Sequence, residues 1–107
     1  MTATGAIKDL DQLVVRLERN HKCVLRQISK MNSYRYEPKD YECFIRLRGL
    51  RADLKELSEN QMELFDGLQR NEHDLKTATR LVEKMLQDFK EIESKLAHYL
   101  LDTKGYY

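Results

Sequence analysis

The stretch MNSYRYEPKDYECF, residues 31–44, decides the fold, because it separates two regions that each carry a regular apolar repeat. It contains Pro38, the only proline of the chain. Proline disfavours helical geometry at the residue before it and fits the first turn of a new helix. Asp40 and Glu42 would complement the positive dipole end of that helix. The stretch therefore predicts a turn over residues 32–39, followed by a helix that starts at about residue 40.

The region before this turn has apolar residues at alternating spacings of three and four, which is the spacing of a heptad repeat. The pattern predicts a first helix over residues 6–31. His21 is the only gap in the apolar series. The apolar members of the series are Ile7, Leu10, Val14, Leu17, Val24, Ile28 and Met31.

The region after the turn continues a heptad without a change of phase from Leu47 to Tyr99. An unbroken helix over residues 40–101 would have roughly 60 residues and a length of ~90 Å. Its weakest point is GLQRNEHD, residues 67–74, where a bend or short loop could form. We expect an all-α fold, an elongated antiparallel helical hairpin with a long coiled-coil arm. It would have two helices if residues 67–74 are helical and three if they are not.

The two repeats differ in length. Folded back from the turn, the first helix can cover only the first half of the second repeat, which leaves residues 64–99 without an internal partner. Each uncovered leucine-sized side chain forgoes about 1.5–3 kcal/mol of burial, so this stripe predicts association with another chain. The predicted partner-interface residues are Leu64, Leu68, Leu75, Val82, Met85, Phe89, Ile92, Leu96 and Tyr99.

Three polar residues fall on these apolar stripes, namely His21, Gln61 and Asn71. Polar residues at heptad core positions fix register and partner number at some cost in stability. We predict that these three are register-setting core residues.

Charge is unevenly distributed along the chain. Residues 15–51 carry ten lysines and arginines against four acidic residues, whereas residues 52–94 carry six against eleven. Either half could steer a partner of opposite charge, or the two could balance each other within the folded hairpin.

The composition favours a single helical unit and offers little chemistry. A chain of 107 residues is one domain at most, and its four glycines stand singly, so no phosphate-binding loop is predicted. The histidines His21, His73 and His98 have no neighbouring nucleophile or metal-ligand spacing. We expect no enzymatic activity, no catalytic or metal-binding residues, no cofactor and no small-molecule substrate. Nucleic-acid binding is not favoured, because the basic segment lacks a recognisable module.

The cysteines and the hydropathy predict an intracellular, soluble protein in the cytoplasm or nucleus. Cys23 and Cys43 lie in ordinary helical sequence without a Cys-x-x-Cys motif, which is typical of a reduced compartment. No segment approaches the ~20 apolar residues of a membrane span, and no signal peptide is evident. Tyr34, Tyr36 and Tyr41 are expected to pack their rings over the hairpin end.

Two stretches resemble a known family of helical proteins. They are DYECFIRLRGLRADLKEL, residues 40–57, and LKTATRLVEKMLQDFKEIESKLAHYLLDTKGYY, residues 75–107. The shared details are Asp40-Tyr41 at the helix start, the pattern Lys76, Ala78, Thr79 and Glu83-Lys84, and the ending Gly105-Tyr106. The chain is similar to the amino-terminal helical region of the third subunit of the Ska, or spindle-and-kinetochore-associated, complex.

This resemblance implies a structural coiled-coil subunit that helps to link kinetochores to spindle microtubules in mitosis, and so acts in chromosome segregation and cell division. Its partners would be other helical subunits, and its contact with microtubules would be indirect. Two alternatives remain open from the residues. The chain could belong to a small helical trafficking complex of lysosomes or related organelles, or it could be a homodimeric adaptor.

Overall fold

A computed structural model describes residues 2–33 and 37–104, with side chains placed for residues 9–33 and 37–102. The described chain forms helices α1 (Thr2–Met31), α2 (Tyr41–Gln69) and α3 (Leu75–Lys104). The all-α prediction is confirmed, and the three-helix alternative is the one observed. The unbroken helix over residues 40–101 does not form, because α2 ends at Gln69.

Each later helix begins at an aspartate that caps it. Asp40 Oδ1 accepts a hydrogen bond of 2.8 Å from the backbone N–H of Cys43, and Asp74 Oδ1 accepts one of 2.8 Å from Thr77. Such caps satisfy backbone donors that have no partner inside the helix. The caps raise the acidity of both carboxyl groups. The pKa of Asp40 lies below 3.8 because of the backbone hydrogen bond from Cys43, and that of Asp74 does so because of hydrogen bonds from the side chain and backbone of Thr77.

The end of α2 is a left-handed turn centred on Asn71, which has a φ of 57°. The backbone N–H of Glu72 donates to the carbonyl of Gly67 at 2.9 Å, and that of Asn71 donates to Leu68 at 3.3 Å. This pair of bonds is the Schellman motif that closes many helices. Asparagine tolerates the left-handed conformation better than most residues other than glycine. Residues 70–74 therefore form a compact reversal that turns α3 back along α2.

The three helices run up, down and up in a bundle of 60 × 20 × 18 Å, so that α1 and α3 are parallel and both pack against α2. The expectation that residues 64–99 have no internal partner is wrong. Once the chain reverses at residues 70–74, α3 covers α1 and α2 over their shared length. The apolar stripe predicted to seek another chain is buried in the chain's own core.

The core divides into two clusters. The hairpin-end core lies beside the end of α1 and the start of α2, and the far-end core lies beside the 70–74 turn. The hairpin-end core consists of Val24, Met31, Leu47, Leu50, Leu54, Leu57, Phe89, Ile92, Leu96 and Tyr99. The far-end core consists of Leu13, Leu17, Leu64, Leu68, Ala78 and Val82. Within the described residues, none of the helices has a stretch long and apolar enough to cross a lipid bilayer.

Candidate functional site

A polar layer lies between the two cores and is built around Gln61. This side chain is fully buried, and it is the only buried polar residue among those described. Its Nε2 donates to Asn20 Oδ1 at 2.8 Å, and its Oε1 lies 2.9 Å from His21 Nδ1. Because Oε1 can only accept, the proton of this contact belongs to Nδ1 of His21. The amide thus joins α2 to two consecutive residues of α1.

The ring of His21 is also held by an aromatic contact. It meets the ring of Phe65 edge to face, with centroids 5.9 Å apart and planes at 81°. This arrangement is favourable for aromatic pairs. His21 and Gln61 therefore occupy one layer that can form only at one register of α1 against α2. Their role in setting the register stays a prediction.

Asn71 does not share that layer, and its assignment to the core is wrong. It lies exposed in the 70–74 turn, with its backbone in the left-handed region. The heptad count passes through it only because the turn preserves the phase, with Leu68 before it and Leu75 after it. Its role is to reverse the chain, which depends on its backbone conformation.

The predicted partner-interface residues all contribute to the interior. Leu64, Leu68, Val82, Phe89, Ile92, Leu96 and Tyr99 are buried, and Leu75 and Met85 are half-buried against the cores. Their use by a second chain stays a prediction. It now requires α3 to leave its own bundle, because the folded chain already covers these side chains.

At the hairpin end, Arg46 ties α2 to α3. Its Nη1 lies 2.8 Å from Asp102 Oδ2, and its guanidinium carbon stands 5.4 Å from the centre of the Tyr99 ring. Burial raises the pKa of the Tyr99 hydroxyl above 10.0. Arg51 Nη2 donates to the carbonyl of Met31 at 2.6 Å, which satisfies an acceptor at the end of α1. Arg46 and Arg51 thus tie α2 to both of its neighbouring helices.

The outward surface of α2 is the feature that the core heptad did not reveal. We call this surface the outer α2 face, and all eight of its residues are exposed. Three of them are large apolar or aromatic side chains, Tyr41 at 77%, Ile45 at 44% and Met62 at 52% exposure. The members of the outer α2 face are Tyr41, Ile45, Arg48, Ala52, Lys55, Glu59, Met62 and Asp66.

Tyr41 departs from its expected position. Its ring stacks on Phe44, with centroids 6.4 Å apart, and remains mostly exposed instead of covering the hairpin end. It stands at the first position of α2, where the outer face begins. Tyr34 and Tyr36 lie outside the described residues. The sequence signal that could have revealed this face is a second alternation of threes and fours, which starts at residue 41 and is out of phase with the core.

The grooves and polar clusters of the described chain hold little chemistry. One groove, with a volume of about 560 Å³, runs between α2 and α3 near the 70–74 turn, where Glu63, His73 and Lys84 line it with other residues. No group of three or more metal-ligating side chains occurs within the described residues. Cys23 and Cys43 are both free thiols, and burial raises the pKa of Cys43 above 9.0. The outer α2 face remains the strongest candidate site.

Comparison of the chain with protein-family models, curated proteins and solved structures finds no match.

Proposed function

We propose that this chain is a structural helical subunit of a protein assembly, without enzymatic activity or a cofactor. The observation that carries the proposal is the outer α2 face. It exposes Tyr41, Ile45 and Met62 along one side of a rigid helix whose other side is anchored in both cores. Exposed apolar side chains rimmed by charges are typical of surfaces that bind other proteins.

The more specific form of the proposal is a role in linking kinetochores to spindle microtubules, with indirect microtubule contact through other subunits. The resemblance of residues 40–57 and 75–107 to the Ska family supports it. Both stretches correspond to structural units, since the first begins at the cap of α2 and the second begins with α3. Residues 105–107 of the second stretch lie outside the described chain.

Purification of the tagged chain from dividing cells of its source tests both levels of the proposal. The wild-type chain should recover stoichiometric helical partners together with kinetochore proteins. The variant Ile45→Asp/Met62→Asp should lose these partners, because it places charge in the apolar part of the outer α2 face. Val15→Asp is the matched control, since Val15 is 43% exposed on α1 and lies away from that face.

Three outcomes would contradict parts of this proposal. The absence of any stoichiometric companion would overturn the assembly role. Companions from a lysosomal or vesicle complex would overturn the kinetochore role and place the same architecture in trafficking. Retention of all companions by the double variant would show that the outer α2 face is not their binding surface. Circular dichroism on each variant confirms that the helices remain formed.

A further inference from the structure

The outer α2 face carries a second heptad that is independent of the core. Its members recur at alternating spacings of four and three from residue 41 to residue 66. A stripe with this spacing follows one side of a helix over its whole length, which for the 29 residues of α2 is about 43 Å. All of its members are exposed in the bundle. The face therefore has the geometry of a coiled-coil seam that lacks its second helix.

The charges of this seam are polarised along the helix. Arg48 lies in the amino-terminal half of α2, Lys55 lies at its middle, and Glu59 and Asp66 lie in the carboxyl-terminal half. Among the described residues, the only ion pair that involves any of these four is a 3.9 Å contact between Asp66 and Arg70. Arg48, Lys55 and Glu59 are thus exposed charges that have no ion-pair partner within the described chain.

We propose that the outer α2 face binds the same face of a second copy of this chain, with the two α2 helices antiparallel. In the heptad register that matches both charge and apolarity, Arg48 lies opposite the second copy's Glu59. Met62 then lies opposite the second copy's Ile45, and Tyr41 lies opposite its Asp66. The twofold symmetry repeats each contact, so every pairing occurs twice.

Charge selects this arrangement over the parallel one. Two parallel α2 helices would place Arg48 beside Arg48 and Glu59 beside Glu59, and like charges at facing positions oppose association. The antiparallel arrangement replaces these two repulsions with two attractions between Arg48 and Glu59. Ala52 lies near the centre of the contact, where its small side chain allows the two helices to approach closely. A second copy is the partner whose complementary pattern is already present in the sequence.

The contact also covers two of the apolar side chains that the bundle leaves exposed to water. Ile45 and Met62 would pack against each other across the interface, removing two exposed apolar side chains from each copy. This self-association names one partner for the assembly role proposed above and depends on that proposal only for its biological purpose. The dimer itself is a property of the isolated chain.

A charge-swap experiment on the purified full-length chain tests the inference. Sedimentation equilibrium should show a dimer for the wild-type chain. Arg48→Glu alone and Glu59→Arg alone should each weaken dimerisation about tenfold or more, since each places two like-charged pairs in the interface. An equimolar mixture of the two variants should recover a heterodimer of wild-type affinity, because both facing pairs between residues 48 and 59 are again of opposite sign.

Lys90→Glu and Glu93→Lys on α3 are the matched controls, since they change exposed charges by the same amount and should leave the dimer unchanged. The wild-type dimer should also weaken as salt concentration rises. A wild-type chain that is monomeric up to about 100 μM would overturn the inference. The inference would also be overturned if Arg48→Glu and Glu59→Arg each dimerised as tightly as the wild-type chain. It would be overturned as well if their equimolar mixture remained monomeric.

The test of self-association can fail without the assembly role failing, and the reverse is also true. A monomeric wild-type chain that still recovers helical companions from cells would remove the self-association and keep the assembly role. A dimeric wild-type chain that recovers no other companion from cells would keep the self-association and remove the assembly role. Because Arg48 and Glu59 are exposed, both variants should fold, and circular dichroism provides the check.

Discussion

The two ends of the bundle are built to the same plan from different sequences. Each has an apolar cluster spanning all three helices, a chain reversal and an aspartate that caps the next helix. The reversal at the hairpin end contains the only proline, whereas the reversal at the far end is a Schellman turn around Asn71. At the far end, the apolar repeat continues in phase through a complete reversal of the chain.

The largest loss of stability is expected when one buried leucine is truncated at either end of the bundle. Leu54 lies in the hairpin-end core and Leu17 in the far-end core, and both are fully buried. Leu54→Ala and Leu17→Ala should each lower the free energy of unfolding by about 2–5 kcal/mol, because each removes apolar contacts and leaves a cavity. Chemical denaturation measures the loss.

Hydrogen exchange on the same two variants shows whether the ends are independent. If the polar layer separates the cores, exchange should accelerate mainly in the half that carries the substitution. Leu101→Ala is the control, since Leu101 is 70% exposed and its loss should change stability by at most about 0.5 kcal/mol. Equal acceleration at both ends would show that the two cores behave as one.

The polar layer that divides the two ends should be the next most sensitive position. Gln61→Ala removes the amide that binds Asn20 and His21, and should lower the free energy of unfolding by about 1–3 kcal/mol. NMR should show loss of the protected Nδ1–H signal of His21. Gln87→Ala on the exposed surface of α3 is the matched control. A loss no greater than that of the control would remove the layer as a structural determinant.

The capping aspartates allow a finer comparison. Asp40→Ala and Asp74→Ala should each lower the Tm by a few degrees, because each leaves a backbone N–H without its acceptor. The asparagine variants at the same positions should retain most of the stability. Thermal melts of the four variants at neutral pH measure the difference, and a clear inequality between Asp40 and Asp74 would show that one turn depends more on its cap.

The same carboxylates set a pH dependence. Both have pKa values below the ordinary 3.8, so their ionised forms stabilise the folded chain. This contribution is fully present above about pH 3.8 and is lost as the pH falls through the folded-state pKa values. In acid titration, Asp40→Asn/Asp74→Asn should lose less stability below pH 3.8 than the wild-type chain. An identical acid dependence would contradict the assigned role of the caps.

The smallest expected effect comes from two helical glycines, one near each end. A Cβ added at Gly49 meets no atom within 4 Å, so Gly49→Ala should raise the free energy of unfolding by about 0.5–1 kcal/mol. A Cβ at Gly67 would lie 3.1 Å from the ring of His73. Gly67→Ala should therefore raise the free energy of unfolding by less than Gly49→Ala does, or lower it. Adding His73→Ala to Gly67→Ala should relieve the contact, and chemical denaturation of all three variants tests this order.

The sequence predicted the helical class and the first turn because both have local causes. Pro38 and the cap at Asp40 act within a few residues of themselves, and a heptad repeat is visible in one dimension. The second turn could not be decided in the same way. Residues 70–74 preserve the heptad phase, so an unbroken helix and a reversal predict the same apolar positions. The choice between them depends on packing between distant residues.

The candidate site also combines features that are visible in the sequence with features that depend on how the helices pack. His21 and Gln61 could be recognised as polar residues on apolar stripes, although their hydrogen bond depends on the register of two helices. The partner-interface prediction followed from assuming that residues 64–99 had no internal partner, and therefore did not anticipate the fold-back of α3. The outer α2 face has a sequence signal of its own, the second alternation of threes and fours from residue 41, but its exposure follows from how the three helices pack.

The order of the helices also determines how the bundle responds to force. Since α1 and α3 run parallel to each other and antiparallel to α2, Thr2 and Lys104 lie at opposite ends of the 60 Å axis. Tension applied at these two points would slide the helices past one another and load both cores at once. Tension applied at Met31 and Tyr41 would instead separate α1 from α2 one layer at a time. The bundle should therefore be mechanically stiffer when stretched lengthwise than when opened from the hairpin end.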